Sequence, residues 1–213
     1  MKRRTLGHLL TATLSLALLG AAPFVRAQQV EAPDALIKRV SAEVLDNIKT
    51  DKAVKAGDLT KVLSLVDSKI MPNVNFTRMT AAAVGRNWRQ ATPEQQKRLQ
   101  DEFKTLLVRT YSSALAQVDD QTITIKPQRS SPADTEVVVR SEIRGRGDPI
   151  QLEYRLEKTP GQGAGWKIFN LNVLGVWLVE TYRSQFAAEI NAKGVDGLIA
   201  TLAERNKSNA KKG

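Results

Sequence analysis

Asp67, Asp101 and Glu102, with the phenols of Tyr111 and Tyr154, are the side chains of this 213-residue chain best suited to move a proton on an apolar substrate, as a carboxylate–tyrosine isomerase site would. Little else in the sequence offers chemistry. There is no cysteine, and the one histidine, His8, lies in a segment expected to be removed. Without imidazole or thiol, Ser-His-Asp catalysis, Cys-His catalysis and zinc sites are excluded, whereas carboxylate pairs and Ser-Lys dyads stay open. A carboxylate base needs an apolar wall, yet the acidic residues of the strands alternate onto the polar face. The expectation is a protein that is not an enzyme and holds no cofactor or metal. Without disulfides, stability must come from packing.

The N-terminus reads as a secretory signal. Lys2, Arg3 and Arg4 precede an apolar run from Leu9 to Leu19, and Val25 and Ala27 fit the −3 and −1 positions of a cleavage site. The run is shorter than the ~20 residues a spanning helix needs. The expected organisation is a cleaved leader over 1–27, one α+β domain over 28–206 and a basic disordered tail over 207–213. The Arg3-Arg4 pair leaves twin-arginine export open beside the general route. The whole chain carries a formal charge of +10, from 32 basic and 22 acidic residues. The leader takes Lys2, Arg3, Arg4 and Arg26 and no acid with it, so the remainder stands at +6. Cations spread along an exported chain suit solubility better than nucleic-acid binding.

What would position a site is a set of amphipathic helices and a sheet. Pro33 suits a first helical turn, and Leu36, Ile37, Val40, Val44, Leu45 and Ile48 recur at helical spacing up to Gly57. Asp58 can cap a second helix through Leu59, Val62, Leu63, Val66 and Ile70 to Pro72. A short helix carrying Phe76 and Met79 follows Asn75 and stops at Gly85. Thr92, Pro93 and Gln95 form a capping box that opens a long helix through Leu99, Phe103, Leu106, Leu107, Tyr111 and Leu115.

From Gln121 the period falls to two. Four strands are predicted: one with Ile123 and Ile125, one with Val137, Val139 and Ile143, one with Leu152, Tyr154 and Leu156, and one from Trp166 to Val173. The last breaks alternation, since Trp166 and Ile168 point one way and Phe169, Leu171 and Val173 the other, which predicts burial on both faces. Short Gly- and Pro-containing connections make the sheet an antiparallel meander. Two helices close the chain, one through Val176, Leu178, Val179, Tyr182, Phe186 and Ile190, the other beyond Gly194 through Leu198, Ile199 and Leu202. Helices from both ends must cover the apolar face of a curved sheet, an α+β architecture.

Two stretches carry a resemblance. The first holds Ile70-Met71-Pro72, Asn75-Phe76-Thr77-Arg78-Met79, Val84-Gly85-Arg86-Asn87-Trp88-Arg89 and Thr92-Pro93-Glu94-Gln95. The second holds Trp166-Lys167-Ile168-Phe169-Asn170, Gly175-Val176, Tyr182-Arg183-Ser184-Gln185-Phe186 and Gly197-Leu198-Ile199. Together they resemble the MlaC family of periplasmic phospholipid carriers, also called toluene-tolerance auxiliary proteins. The chain departs from the family pattern at Asn75 and Asn170, where an acid is usual, and at Trp177, where a small polar residue is.

The resemblance implies a nuclear-transport-factor-2-like cone with added helices around an apolar cavity. It also implies a monomer in the periplasm that carries phospholipid as cargo between an outer-membrane lipoprotein–porin complex and an inner-membrane ABC transporter complex. The implied cavity walls are Phe76, Met79, Leu107, Tyr111, Val137, Val139, Ile143, Leu152, Tyr154, Leu156, Phe169, Leu171, Val173, Val176 and Trp177. Each competes with an ordinary core role. Tyr182 and Arg183 are candidates for a phosphate contact, against local capping by the arginine. Two other classes stay in view: an enzyme on the same scaffold, and a docking protein whose core is solid.

Overall fold

The computed structural model describes residues 30–116, 120–128, 131, 133–145 and 147–210; the expected leader lies outside them. Helix α1 spans Pro33–Thr50 with proline in its first turn, and Asp51 both ends it and caps the short α2, Lys52–Lys55, by accepting from the Ala53 and Val54 amides. The helix expected to run unbroken toward Pro72 is segmented. Asp58 caps α3, Leu59–Leu65, which passes into a π turn, Val66–Ile70, and a 3₁₀ turn, Met71–Asn73. Proline removes a donor at that point, which favours the looser and tighter turns. Asn75 caps α4, Phe76–Val84, and a 3₁₀ turn, Gly85–Arg89, leads on.

The capping box forms as expected, with the Gln95 amide donating to Thr92 Oγ1 at 3.2 Å and the Thr92 amide to Gln95 Oε1 at 2.9 Å, opening α5, Pro93–Ala116. The sheet has five strands where four were expected: β1 Thr122–Ile125, β2 Glu136–Arg144, β3 Ile150–Lys158, β4 Trp166–Val173 and β5 Val176–Trp177, all antiparallel in chain order. The two-residue β5 escaped detection because its residues read as the start of the following helix. That helix, α6, spans Leu178–Ala210 and bends at Gly194, which sits at φ 72°. Because α6 continues to Ala210, the expected tail boundary at 206 falls inside the helix; 211–213 lie outside the described residues.

The broken alternation of β4 has a local cause. Arg155 pairs with Asn170 and Leu156 with Ile168, so Phe169 is an extra residue in a β-bulge. The bulge resets the pleat. Trp166, Ile168, Leu171 and Val173 then all fall on the face shared by Leu152, Tyr154 and Leu156; the expected burial on both faces holds, since Asn170 and Asn172 on the opposite side are buried too, but that second face is polar.

Three clusters of side chains hold the fold. Phe76, Met79, Leu99, Phe103, Leu106, Tyr182, Phe186 and Leu198 join α4, α5 and α6, centred on Phe103, whose ring lies 4.9 Å from Tyr182 and 5.1 Å from Phe186. Leu36, Ile37 and Val40 of α1 cover Val139, Tyr154, Leu156, Trp166 and Ile168 on the sheet. A third, smaller cluster of Ile48, Val54, Val62, Leu65 and Val108 ties α1 and α3 to α5.

Candidate functional site: an apolar seam between sheet and helices

Strand register places Ile123 and Ile125, Val137, Val139, Ser141 and Ile143, Ile150, Leu152, Tyr154 and Leu156, and Leu171 and Val173 on one face of the sheet. Helix α1 covers only part of it. Beneath the helix, Val139 and Leu156 are fully buried and Tyr154 nearly so, with Ser141 Oγ donating to the Tyr154 hydroxyl at 3.4 Å. Toward the other end Ile143, Leu152 and Val173 are only half-buried, and Ile150 is exposed.

The helical cluster adjoins the sheet at Leu171 of β4, and Leu107 packs against that cluster without being fully buried. Val74 and Leu171 touch both the helical and the sheet cluster and are buried in neither. The two cores therefore meet along a seam of aliphatic side chains that stay accessible. Tyr111, on the same helix as Leu107, is exposed, and its phenol and that of Tyr182 are pushed up by burial, Tyr182 further by the nearby Tyr111 and less by its bond to Thr110. Both phenols stay neutral at physiological pH. The accessible side chains where the two cores meet are aliphatic, an arrangement suited to sheltering hydrocarbon rather than to proton transfer.

Several expected wall residues lie elsewhere. Phe76 and Met79 are interior to the helical core, and Val139, Tyr154 and Leu156 lie under α1. Phe169 and Trp177 are on the polar face, each beneath a guanidinium: Arg78 lies 3.6 Å from the Phe169 ring centre and Arg155 3.9 Å from that of Trp177. The bulge turned Phe169 outward, and pairing of Trp177 with Asn172 fixes its side. Arg183 Nε donates to the Ala82 carbonyl at 2.8 Å, closing the end of α4, while Tyr182 is buried in the helical core; the two are not brought to one site. Val176 is half-exposed at the sheet's end. Val74 was missed, since it sits in a connection where no periodicity marks it.

The polar face explains the family departures. Asn75 caps α4 by accepting from the Arg78 amide and donates to Glu157, whose carboxylate also pairs with Arg78; Arg78 reaches Glu136 at 2.6 Å as well. Asn170 accepts from the Leu171 and Val179 amides and donates to Glu180, which Arg155 pairs with at 2.7 Å. Asparagine can donate to a neighbouring glutamate where aspartate would repel it. These two latches fasten α4 to β2 and β3, and α6 to β3 and β4, across the polar face of the sheet. Between them Glu136, Val137, Val138, Arg155 and Phe169 line a cleft of about 180 Å³, below the ~300–1,000 Å³ of a typical small-ligand pocket.

One sequence inference is corrected here. The strand carboxylates do not all face water: Glu142 is buried and held by Gln151 and Lys126, each at 2.6 Å, and by Arg144. Those partners bring its carboxyl down to about 2, the direction opposite to a general acid's. Asp67 pairs with Lys104, Asp101 with Lys97, and Glu102 with Arg98 and Asn206, so none of the three is joined to Tyr111 or Tyr154 by these bonds.

The class this defines is an α+β protein that offers an apolar seam and no assembled catalytic group among the described residues. Comparison with known proteins agrees: the family model described as MlaC protein matches residues 38–204. The chain belongs to the MlaC family. It is 26% identical over 182 residues to a toluene tolerance protein of Pseudomonas putida, covering 85% of this chain and 83% of that one. It is 21% identical over 174 residues to the intermembrane phospholipid transport system binding protein MlaC of Haemophilus influenzae, covering 81% of each. Among solved structures it matches the phospholipid-binding protein of Ralstonia solanacearum in complex with a phospholipid, with 49% identity, a TM-score of 0.79, and coverage of 83% of this chain and 98% of that one.

Proposed function

We propose that this protein is a periplasmic phospholipid carrier whose seam admits acyl chains between the uncovered end of the sheet and helices α5 and α6. The observation that carries the reading is the row of accessible aliphatic side chains, Ile143, Leu152, Leu171, Val173 and Leu107, between two packed cores. Likeness to the phospholipid-bound Ralstonia solanacearum structure supports it. Each methylene withdrawn from water is worth about 0.8 kcal/mol, so two long chains cannot cross an aqueous space bare. Transfer between bilayer and seam exchanges one apolar surrounding for another. No covalent step is needed.

In this reading the seam widens into a cone-shaped cavity around the cargo, and the partners are the outer-membrane lipoprotein–porin complex and the inner-membrane ABC transporter complex of the lipid-asymmetry pathway, served by a monomer exported behind a cleaved leader. The latches at Arg78 and Arg155 keep α4 and α6 on the polar face of the sheet while the interior is occupied. Native mass spectrometry of the protein purified without detergent, followed by organic extraction, tests this. A stoichiometric phospholipid is the expected result, and a folded protein that neither carries nor takes up phospholipid would refute it.

A further inference from the structure

The β4–β5 connection is a two-residue hairpin, Leu174-Gly175, closed by the Val173–Val176 pair, with both loop residues at positive φ, 52° and 87°. Such turns favour Asn-Gly, because the left-handed region is unfavourable for a side chain like leucine. Leu174 is the one non-glycine residue at positive φ among the described residues, and it is 63% exposed. The fold gains from neither feature. Beside it stand Val176, 50% exposed, and Ile150, 37% exposed, at the open end of the seam.

The tip is also prepared for a medium without water. The Leu174 amide donates to the Gln151 carbonyl at 3.0 Å and the Gly175 amide to Asn172 Oδ1 at 2.8 Å, so both loop N–H groups are satisfied internally. A partner chain adding as a strand would need open amides here, whereas hydrocarbon penalises them. At the far side of the patch Arg144, next to Ile143, the register partner of Ile150, has a 62% exposed side chain; it shares the Glu142 carboxylate with Lys126, two cations to one carboxylate, and the chain is basic overall, which suits an anionic lipid surface.

We infer that the Leu174-Gly175 tip, with Ile150 and Val176, is a membrane-touching element that enters the surface of a phospholipid bilayer at the mouth of the seam. The inference rests on the phospholipid reading for its purpose: the complexes such a carrier serves lie in membranes, and the tip enters the bilayer beside them. Two or three aliphatic side chains give shallow and reversible contact, as a carrier that must leave again requires.

The test is flotation of the full chain with mixed phosphatidylethanolamine–phosphatidylglycerol vesicles, comparing the parent with Leu174→Asn. Asparagine tolerates the left-handed region, so the variant should melt at the same or a higher temperature and retain the same extractable lipid, yet bind vesicles about tenfold less. Leu174→Cys carrying a polarity-sensitive dye, unambiguous because the chain has no cysteine, should shift to the blue on adding vesicles. Equal flotation of parent and variant, or an unmoved dye, overturns the inference. So does a variant that floats normally and loses only lipid exchange with a membrane protein complex, since the tip would then be a protein contact. A parent that carries lipid but ignores vesicles overturns the inference alone, whereas vesicle binding through the tip by a chain that never holds lipid would overturn the carrier reading alone.

Discussion

The apolar face of the sheet has two halves built from the same strands with the same alternation, and they end in opposite states. Val139, Tyr154 and Leu156 vanish beneath Leu36, Ile37 and Val40 of α1, while Ile143, Ile150, Leu152 and Val173 remain accessible. Nothing in the strands distinguishes them. The difference lies in the path of α1, which starts beside Ala164 before β4 and ends beside Gln121 before β1, so alternation says which face is apolar and the covering helix decides whether that face is core or site.

The sharpest way to break the comparison is to truncate one leucine in each half. Leu156→Ala should cost about 2–5 kcal/mol in urea unfolding, because the residue is fully buried and α1 cannot collapse into the gap. Leu152→Ala should cost less than about 1.5 kcal/mol and instead reduce the lipid recovered by extraction. Equal stability losses would erase the distinction.

A smaller effect is expected at the Arg78 latch. Arg78→Ala leaves Glu136 and Glu157 without their cation and Phe169 uncovered, and should cost about 1–2 kcal/mol. Part of that loss should disappear at high salt, since the pairs are partly exposed. Denaturation at two ionic strengths checks both points.

Acid gives a third contrast. The Glu142 carboxyl titrates at about 2 in the folded chain, below its ordinary value of 4.5. The folded state therefore binds fewer protons than the unfolded one between these values. Its stabilising contribution is complete above pH ~4.5 and is lost as pH falls toward 2. Glu142→Gln should be less stable than the parent at neutral pH and show a flatter decline on acidification, read from the unfolding midpoint against pH. The smallest effect belongs to Trp177→Phe, which keeps a ring under Arg155 and should change stability by about 0.5 kcal/mol or less.

Much of this was legible in residue spacing. The Thr92–Gln95 box, the cap at Asp58 and the core stripes of α1 and α5 followed from local rules that the tertiary structure did not override. What escaped detection was non-local. The bulge at Phe169 looks in sequence like a second apolar face, because an inserted residue produces the same broken alternation; β4 is indeed buried on both sides, but Asn170 and Asn172 make the second one. Glu142 sits on the polar side of β2 and is buried there by Lys126 and Gln151 from β1's end and β3. The β4–β5 hairpin lacks the Asn-Gly signal because leucine occupies the position asparagine would take. Of the expected wall, the members at the uncovered end, Ile143, Leu152, Leu171, Val173 and Leu107, keep that role in the proposal; Phe169 and Trp177 belong to the latches.

The central claim is that the uncovered half of the sheet shelters lipid, and Leu152→Trp tests it most directly. The larger side chain should fill the seam from the border of the cluster under α1, against whose edge Leu152 packs. The account predicts a variant that melts within a few degrees of the parent and retains at least about tenfold less phospholipid by native mass spectrometry. A folded Leu152→Trp protein that still carries a full complement of phospholipid would contradict it.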